Sequence, residues 1–257
     1  GRWLTETDIE NSDATVRARV IPLQTWLDDV EVSAGTLILI RDLTELRDRD
    51  RQLVTKDATI REIHHRVKNN LQTVAALLRL QSRRMSNSDA KDALKQAMGR
   101  VSAIAVVHEI LSQNFEEQVA FDEVADRILH MVGDVAASSG SVVARREGSF
   151  GEVPAETATA LSLATTELCQ NAIEHSLDSS SGNVIVRPHR TDDALVVDIV
   201  SDGKPLPEGF SLDNHRSSLG LSIVTTLMQD LGGTFTLEDN SDRVGTCARL
   251  VIPLQRL

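Results

Sequence analysis

The sequence predicts an α+β protein in which a long helical hairpin precedes a two-layer α/β sandwich. Three observations carry this reading. First, apolar residues fall at Ile60, Ile63, Val67, Leu71, Val74 and Leu78 through the run REIHHRVKNNLQTVAALLRLQ (61–81), which contains no Gly or Pro. Only an α-helix satisfies that three-four spacing. Second, after Ser86-Asn-Ser-Asp89, a turn with caps available, the spacing resumes at Leu94, Ala97, Val101, Ile104, His108 and Leu111. Third, from about Phe115 onward, helical stretches mix with strands of period two, which suggests helices grouped against a mixed sheet.

A chain of 257 residues is long enough for two packed domains and a connector. Its 41% hydrophobic and 25% charged residues are those of a soluble globular protein. The formal charge of −11 argues against direct nucleic-acid binding, which needs a basic footprint. Cys169 and Cys247 lack metal-ligand spacing and sit in apolar surroundings, as reduced core residues do. No signal peptide and no run of about 18 apolar residues occurs, so a cytoplasmic location without a membrane segment is expected. The chain starts at Gly1 without Met and reads as a piece of something longer.

In chain order, residues 1–41 look like the tail of a domain. Val16, Ala18 and Val20 alternate with Arg17 and Arg19 as a strand ending near Pro22, and a second strand starts at Gly35. Asp42 with Glu45 three residues on supplies a helix start of capping-box type. Residues 42–114 form the hairpin, its first helix running from 43 to 84. On that helix Leu46, Leu53, Ile60, Val67 and Val74 recur every seven residues, and His64, Leu71, Leu78 and Met85 form a second track. The combined stripe is too wide for one partner helix; pairing two hairpins into a four-helix bundle would bury it, so a homodimer is expected. In residues 115–257 helices are expected at Phe121–Val132, Ala155–His175 and Leu219–Leu231. Strands are expected at Ser141–Arg146, Asn183–Arg187, Ala194–Val200, Thr234–Glu238 and Gly245–Ile252.

Helix geometry separates the adjacent histidines. At about 100° per residue, His64 joins the apolar stripe, while His65 faces solvent beside Glu62, Lys68 and Asn69. Imidazole titrates close to neutral pH, so a neutral, nucleophilic ring nitrogen is available there without heavy tuning. His108, on the second helix's stripe, reads as a core or bundle histidine rather than a second acceptor. In the later domain Glu167 and Asn171 are four apart and project from one side of a helix, where a carboxylate and an amide carbonyl suit Mg²⁺ and an attached phosphate chain. Ser201-Asp-Gly-Lys-Pro-Leu-Pro207 is a turn directly after a strand, with Gly203 where a base could approach the backbone. Ser217-Ser-Leu-Gly-Leu-Ser222 opens a helix whose free N–H groups favour a phosphate.

The run EIHHRVKNNLQ resembles the phosphoacceptor helix of two-component sensor histidine kinases, in the subclass whose acceptor His is followed by Arg and an Asn pair. The longer run KDATIREIHHRVKNNLQTVAALLRLQ is similar to actinobacterial members. The later stretches, in this order and spacing, resemble the N, G1 and G2 boxes of the ATPase shared by histidine kinases and gyrase-type topoisomerases. The resemblance implies ATP with Mg²⁺ and His65 as acceptor in the motif His65-Arg66-x-x-Asn69, with Glu62 or Glu167 as the base because Arg66 stands where most relatives carry an acidic residue. It also implies Asn171 as Mg²⁺ ligand, Gly220 and Leu221 at the start of a lid helix, and Thr246 supporting the adenine pocket. Implied partners are a response-regulator receiver domain, which in the actinobacterial members belongs to an RNA-binding antiterminator, and a second copy of the chain. The strands before Asp42 resemble the end of a PAS sensor domain; a bare β-hairpin is the alternative. Anchored on Gly203, Ser201 stands in the position of the family's adenine-binding Asp and Pro205 in that of its second Gly, with Asp202 available as a substitute. Glu174 replaces a common Lys, and the lid between Phe210 and Leu219 has few glycines. Two other readings remain: a scaffold that has lost ATP, and a serine-kinase relative with the same ATPase fold.

Overall fold

The computed structural model describes residues 5–11, 14–28, 30–113, 118–137, 142–177, 181–212, 219–241 and 244–254. The expectations placed on Phe115, Ser141, Ser217 and Ser218 lie outside these residues, as does the side chain of Leu53. The chain divides into two compact units, 1–60 and 61–257, and the division falls inside the first helix.

In the first unit β1 (Thr5–Glu10), β2 (Thr15–Leu27) and β3 (Val30–Asp42) form an antiparallel sheet in chain order. Strand β1 was not expected, since TETDIE offers one apolar residue. Its acidic side chains pair with β2 instead: Asp8 accepts from Arg17 at 2.7 Å and Glu6 from Arg19 at 3.0 Å. Strand β2 runs through Pro22 rather than stopping there. Within β2, Pro22 stands opposite Thr36 of β3, and the described pairing with β1 ends at Val20. The expected strand start at Gly35 is a register shift inside a longer β3, with Gly35 at φ 139° opposite Leu23. Asp42 then caps the first helix, α1 (Thr44–Arg84), by accepting from the backbone N–H of Thr44 at 2.9 Å.

The second unit continues α1 into α2 (Ser88–Leu111), capped by the Asn87 side chain, which accepts from Asp89 N–H. Helices α3 (Phe121–Ala137), α4 (Ala155–Asn171) and α5 (Leu219–Asp230) follow. The main sheet combines β5 (Val142–Arg146), β7 (Gly182–Arg190), β8 (Ala194–Ser201), β9 (Thr234–Asp239) and β10 (Thr246–Pro253) in the order β5-β7-β8-β10-β9. All its pairs are antiparallel except β5 with β7. A small pair, β4 (Gln118–Ala120) with β6 (Glu152–Pro154), was too short to read from periodicity.

Along β8, Leu195, Val197, Ile199 and Ser201 are buried and alternate with half-buried residues, so one face carries the core. Leu161, Leu168, Val224, Leu250 and Ile252 join it, and Phe121 meets Phe150 edge-on at 4.8 Å. Helix α4 is buried nearly all round, from Ala158 to Cys169, because α2 packs on it as well as the sheet. Its Ala, Ser and Thr residues permit that close approach. Burial also pushes the Cys169 thiol up to about 12, which leaves it protonated and inert at neutral pH. The expected helix Ala155–His175 is α-helical only to Asn171. It then widens into a π turn over Ala172–Ser176, closed by Leu177 N–H donating to Ala172 C=O at 2.9 Å.

Candidate functional site

The hairpin places the two histidines as helix geometry predicts. His65 is exposed, and no hydrogen bond or ion pair involves it among the described residues. His64 is half-buried with Leu71 and Leu78, and its Nδ1 lies 2.9 Å from Nδ1 of His108 on α2. Burial lowers the pKa of His64 from the usual imidazole value. Burial lowers that of His108 too, with a further contribution from the charge His64 would carry. His108 is thus a half-buried histidine between the two helices of the hairpin, in contact with His64.

Glu62 and Asn69 share the exposed side with His65, and Arg66 donates back to Glu62 at 2.7 Å. Lys68 departs from the expected grouping. It turns toward α2 and donates to Glu109 at 2.8 Å, its side chain only 20% exposed, because a carboxylate on the facing helix outcompetes solvent.

Glu167 and Asn171 occupy successive turns of α4, and the start of α5 lies against them. A methyl group on Gly220 would sit 2.6 Å from Glu167 Oε2 and 3.5 Å from Asn171 Nδ2, so a side chain there would have to displace the Glu167 carboxylate. Leu221 is buried one residue on and anchors the helix start. The Asn171 amide nitrogen is buried without a hydrogen-bond partner among the described residues. An unpaired buried donor of this kind costs about 1–3 kcal/mol, so the site has an unmet polar demand. Its chemistry suits an oxygen-rich group carrying a hard cation, since the amide offers one donor nitrogen and one acceptor oxygen.

Sequence reasoning missed Arg100. From α2 it grips Glu167 with two bonds, Nε to Oε1 at 2.6 Å and Nη2 to Oε2 at 2.9 Å, and the carboxylate is 4% exposed. Gln96 of the same helix donates to Glu174 at 3.3 Å, which gives the substituted N-box position a partner. Nothing in the local sequence marks Arg100, a cation between apolar Ala97 and Val101; its role exists only once α2 lies on α4.

At the end of β8 the Ser201 hydroxyl is 2.7 Å from that of Ser176 and 2.9 Å from that of Thr246. The π turn produces the first contact by carrying the chain from Asn171 to Ser176 beneath the strand end. Gly203 packs against the Ser176 carbonyl, where any Cβ would clash. Asp202, the candidate substitute, is directed elsewhere: its carboxylate accepts from Asn183 N–H at 2.7 Å and from the Asn183 amide at 2.6 Å. Ser176 is the second residue the sequence reading did not single out, although it closes the same run, TELCQNAIEHS.

Two family patterns match the chain: that of a histidine kinase domain over residues 62–136, and that of the histidine kinase-, DNA gyrase B-, and HSP90-like ATPase over residues 156–256. The sensor histidine kinase PdtaS of Mycobacterium tuberculosis is 48% identical over 97% of this chain, and PdtaS of Mycolicibacterium smegmatis is 45% identical over the same share. The chain spans about half the length of these relatives, 49% in each case. Among solved structures, the histidine kinase domain of the blue-light-activated kinase EL346 from Erythrobacter litoralis is similar. It has a TM-score of 0.56 and 26% identity, covering 80% of this chain and 94% of that one. A helical histidine kinase region joined to this ATPase fold, with similarity to named sensor kinases over 97% of the chain, shows that the chain belongs to the sensor histidine kinases.

Proposed function

We propose that the chain is the cytoplasmic kinase portion of a two-component sensor, phosphorylating its own His65 from ATP and passing the phosphoryl group to an aspartate of a response-regulator receiver domain. The observation that supports this best is the meeting of Glu167, Asn171 and the Gly220 helix start in the same chain as an exposed His65. In the transfer, the bond from the γ-phosphorus to the bridging oxygen breaks, a phosphorus–nitrogen bond to the imidazole forms, and ADP leaves. The imidazole N–H proton passes to a carboxylate. Glu62, three residues before His65 on the same helix, and Glu167, once released by Arg100, are the two candidates. Asn69 stands one turn beyond His65 on the exposed side, and Arg66 holds Glu62 in place.

Asn171 would hold Mg²⁺, which when bound neutralises charge on the phosphates. Gly220 admits the helix start to the phosphates and Leu221 anchors it, while Ser201, Gly203 and Thr246 form the floor under the base. Asp202 braces the strand end through Asn183. Residues 1–41 are assigned to the end of a PAS-like sensor, 42–114 to a dimerising acceptor hairpin and 115–257 to the ATPase. No helix of the described residues is long and apolar enough to cross a membrane. The regulator follows by analogy with the actinobacterial relatives, as an RNA-binding antiterminator, so the chain itself needs no contact with nucleic acid.

Incubation with labelled ATP and Mg²⁺ tests the reading. Acid-labile, base-stable label that disappears in His65→Gln is the expected result. Acid-stable label, or label that persists in that variant, would remove His65 as acceptor.

A further inference from the structure

We infer that Ser176 fixes the direction of a hydroxyl relay that turns Thr246 into a hydrogen-bond acceptor toward the 6-position of the purine. The pocket thereby reads a 6-amino group without the carboxylate that Ser201 replaces. The inference rests on the nucleotide reading above and adds a specificity-determining residue to it.

The relay has three oxygen–oxygen contacts in series. Ser176 Oγ lies 3.0 Å from the Lys204 carbonyl and 2.7 Å from Ser201 Oγ, which lies 2.9 Å from Thr246 Oγ1. Each contact needs one proton between its oxygens, and three hydroxyl protons are available. The carbonyl brings none, so the Ser176 proton must point to it. Ser176 then accepts from Ser201, and Ser201 accepts from Thr246; no other assignment satisfies all three contacts. The Thr246 backbone N–H donates to Ser201 Oγ as well, at 3.3 Å. Ser201 thus donates once and accepts twice, which saturates it, and it is only 1% exposed. Thr246, 9% exposed, is the outer end of the relay. Its proton is committed inward, which leaves lone pairs for an outside donor.

A 6-amino group donates and fits this polarity. A 6-oxo group accepts and is opposed by it. A carboxylate at position 201 would be an acceptor by virtue of its charge; here the acceptor character comes from the Lys204 carbonyl through Ser176. Without the Ser176 hydroxyl, the Ser201 proton loses its acceptor and turns to Thr246, whose own proton then faces outward to meet a 6-oxo group.

The test measures the affinity of the full chain for ATP, GTP and purine riboside triphosphate, which has hydrogen at the 6-position. The unmodified chain should prefer ATP to both others. Ser176→Ala should reduce the ATP-over-GTP preference about tenfold, the worth of one hydrogen bond and its reversal, while leaving purine riboside triphosphate affinity in place. Ser201→Ala cuts the relay nearer the base and should produce the same loss, which covers the case in which Ser176→Ala fails to fold. An unmodified chain indifferent to the 6-substituent would overturn the relay. So would a folded variant that keeps its preference, or one that weakens all three nucleotides equally. Failure of the unmodified chain to bind any of the three would instead overturn the nucleotide reading itself.

Discussion

On the proposed reading Ser201 stands where relatives carry a charge, and its neighbours define what a carboxylate introduced there would meet. An aspartate at 201 would take protons from both Ser176 and Thr246 and still hold lone pairs for a 6-amino group. A charge-assisted bond contributes roughly 1.5–3 kcal/mol. Ser201→Asp is therefore expected to tighten ATP about tenfold or more, read by calorimetry. Asp202→Asn should leave ATP affinity unchanged and lower the thermal midpoint, because its carboxylate braces Asn183. Sharp loss of ATP binding in Asp202→Asn would place Asp202 in the pocket. Glu62→Gln on α1 and Glu167→Gln on α4 separate the two candidate bases. The true base should cost about 10²–10⁴-fold in autophosphorylation rate, and equal small losses in both would exclude both carboxylates. His65 was legible because exposure follows from helix angle alone. Ser176 was not, because its role depends on a π turn that the alternation of apolar residues does not encode.

Among the elements, α2 does more than complete a hairpin. Arg100 and Gln96 tie it to α4, and the pair Arg100–Glu167 is largely withdrawn from water. While the tie holds, the carboxylate beside Asn171 serves the hairpin and not a proton on His65. Arg100→Ala is expected to raise the initial autophosphorylation rate severalfold and to lower the thermal midpoint, since an unpaired buried carboxylate is costly. A fall in rate would mean that Arg100 orients Glu167 for the reaction. The hairpin itself should weaken in acid. The pKa values of His64 and His108 are lowered in the fold, so below the ordinary imidazole value of about 6.5 the unfolded chain binds more protons and stability drops with pH. Lys68 holds Glu109 below its usual carboxylate range, and that contribution is lost only under about pH 4.5. Thermal melts between these two values should show a slope that His108→Leu flattens; an unchanged slope would exclude the pair as its source. Helices α1 to α5 were legible from spacing: α2 to α5 each bury a stripe, and the apolar residues of α1 recur at helical spacing even where they stand exposed. Strands β1, β4 and β6 were not, since ion pairs and short pairings hold them rather than apolar alternation.

At the scale of the molecule, the apolar residues of α1 fall into two settings. His64, Leu71 and Leu78 are half-buried, but Ile60 at 53%, Ile63 at 53%, Val74 at 43% and Leu77 at 56% stand exposed. The two tracks together were expected to form a seam needing a partner; of the first, Ile60 and Val74 stand exposed while Val67 is half-buried. A contiguous apolar stripe of this length on a single helix marks an interface. Its heptad spacing suits a second hairpin packed side by side, burying the stripe at the centre of a four-helix bundle. Two carboxylates introduced there would face their symmetry mates across the axis, with both desolvation and like-charge repulsion opposing association. Val74→Glu combined with Leu77→Glu should therefore convert a dimer into a monomer in sedimentation. Nucleotide affinity should persist, since Asn171, Ser201 and Thr246 lie on elements outside α1. Autophosphorylation by the monomer separates transfer within one chain, which would continue, from transfer between chains, which would stop. A doubly substituted chain that still sediments as a dimer would show that the interface lies on another surface.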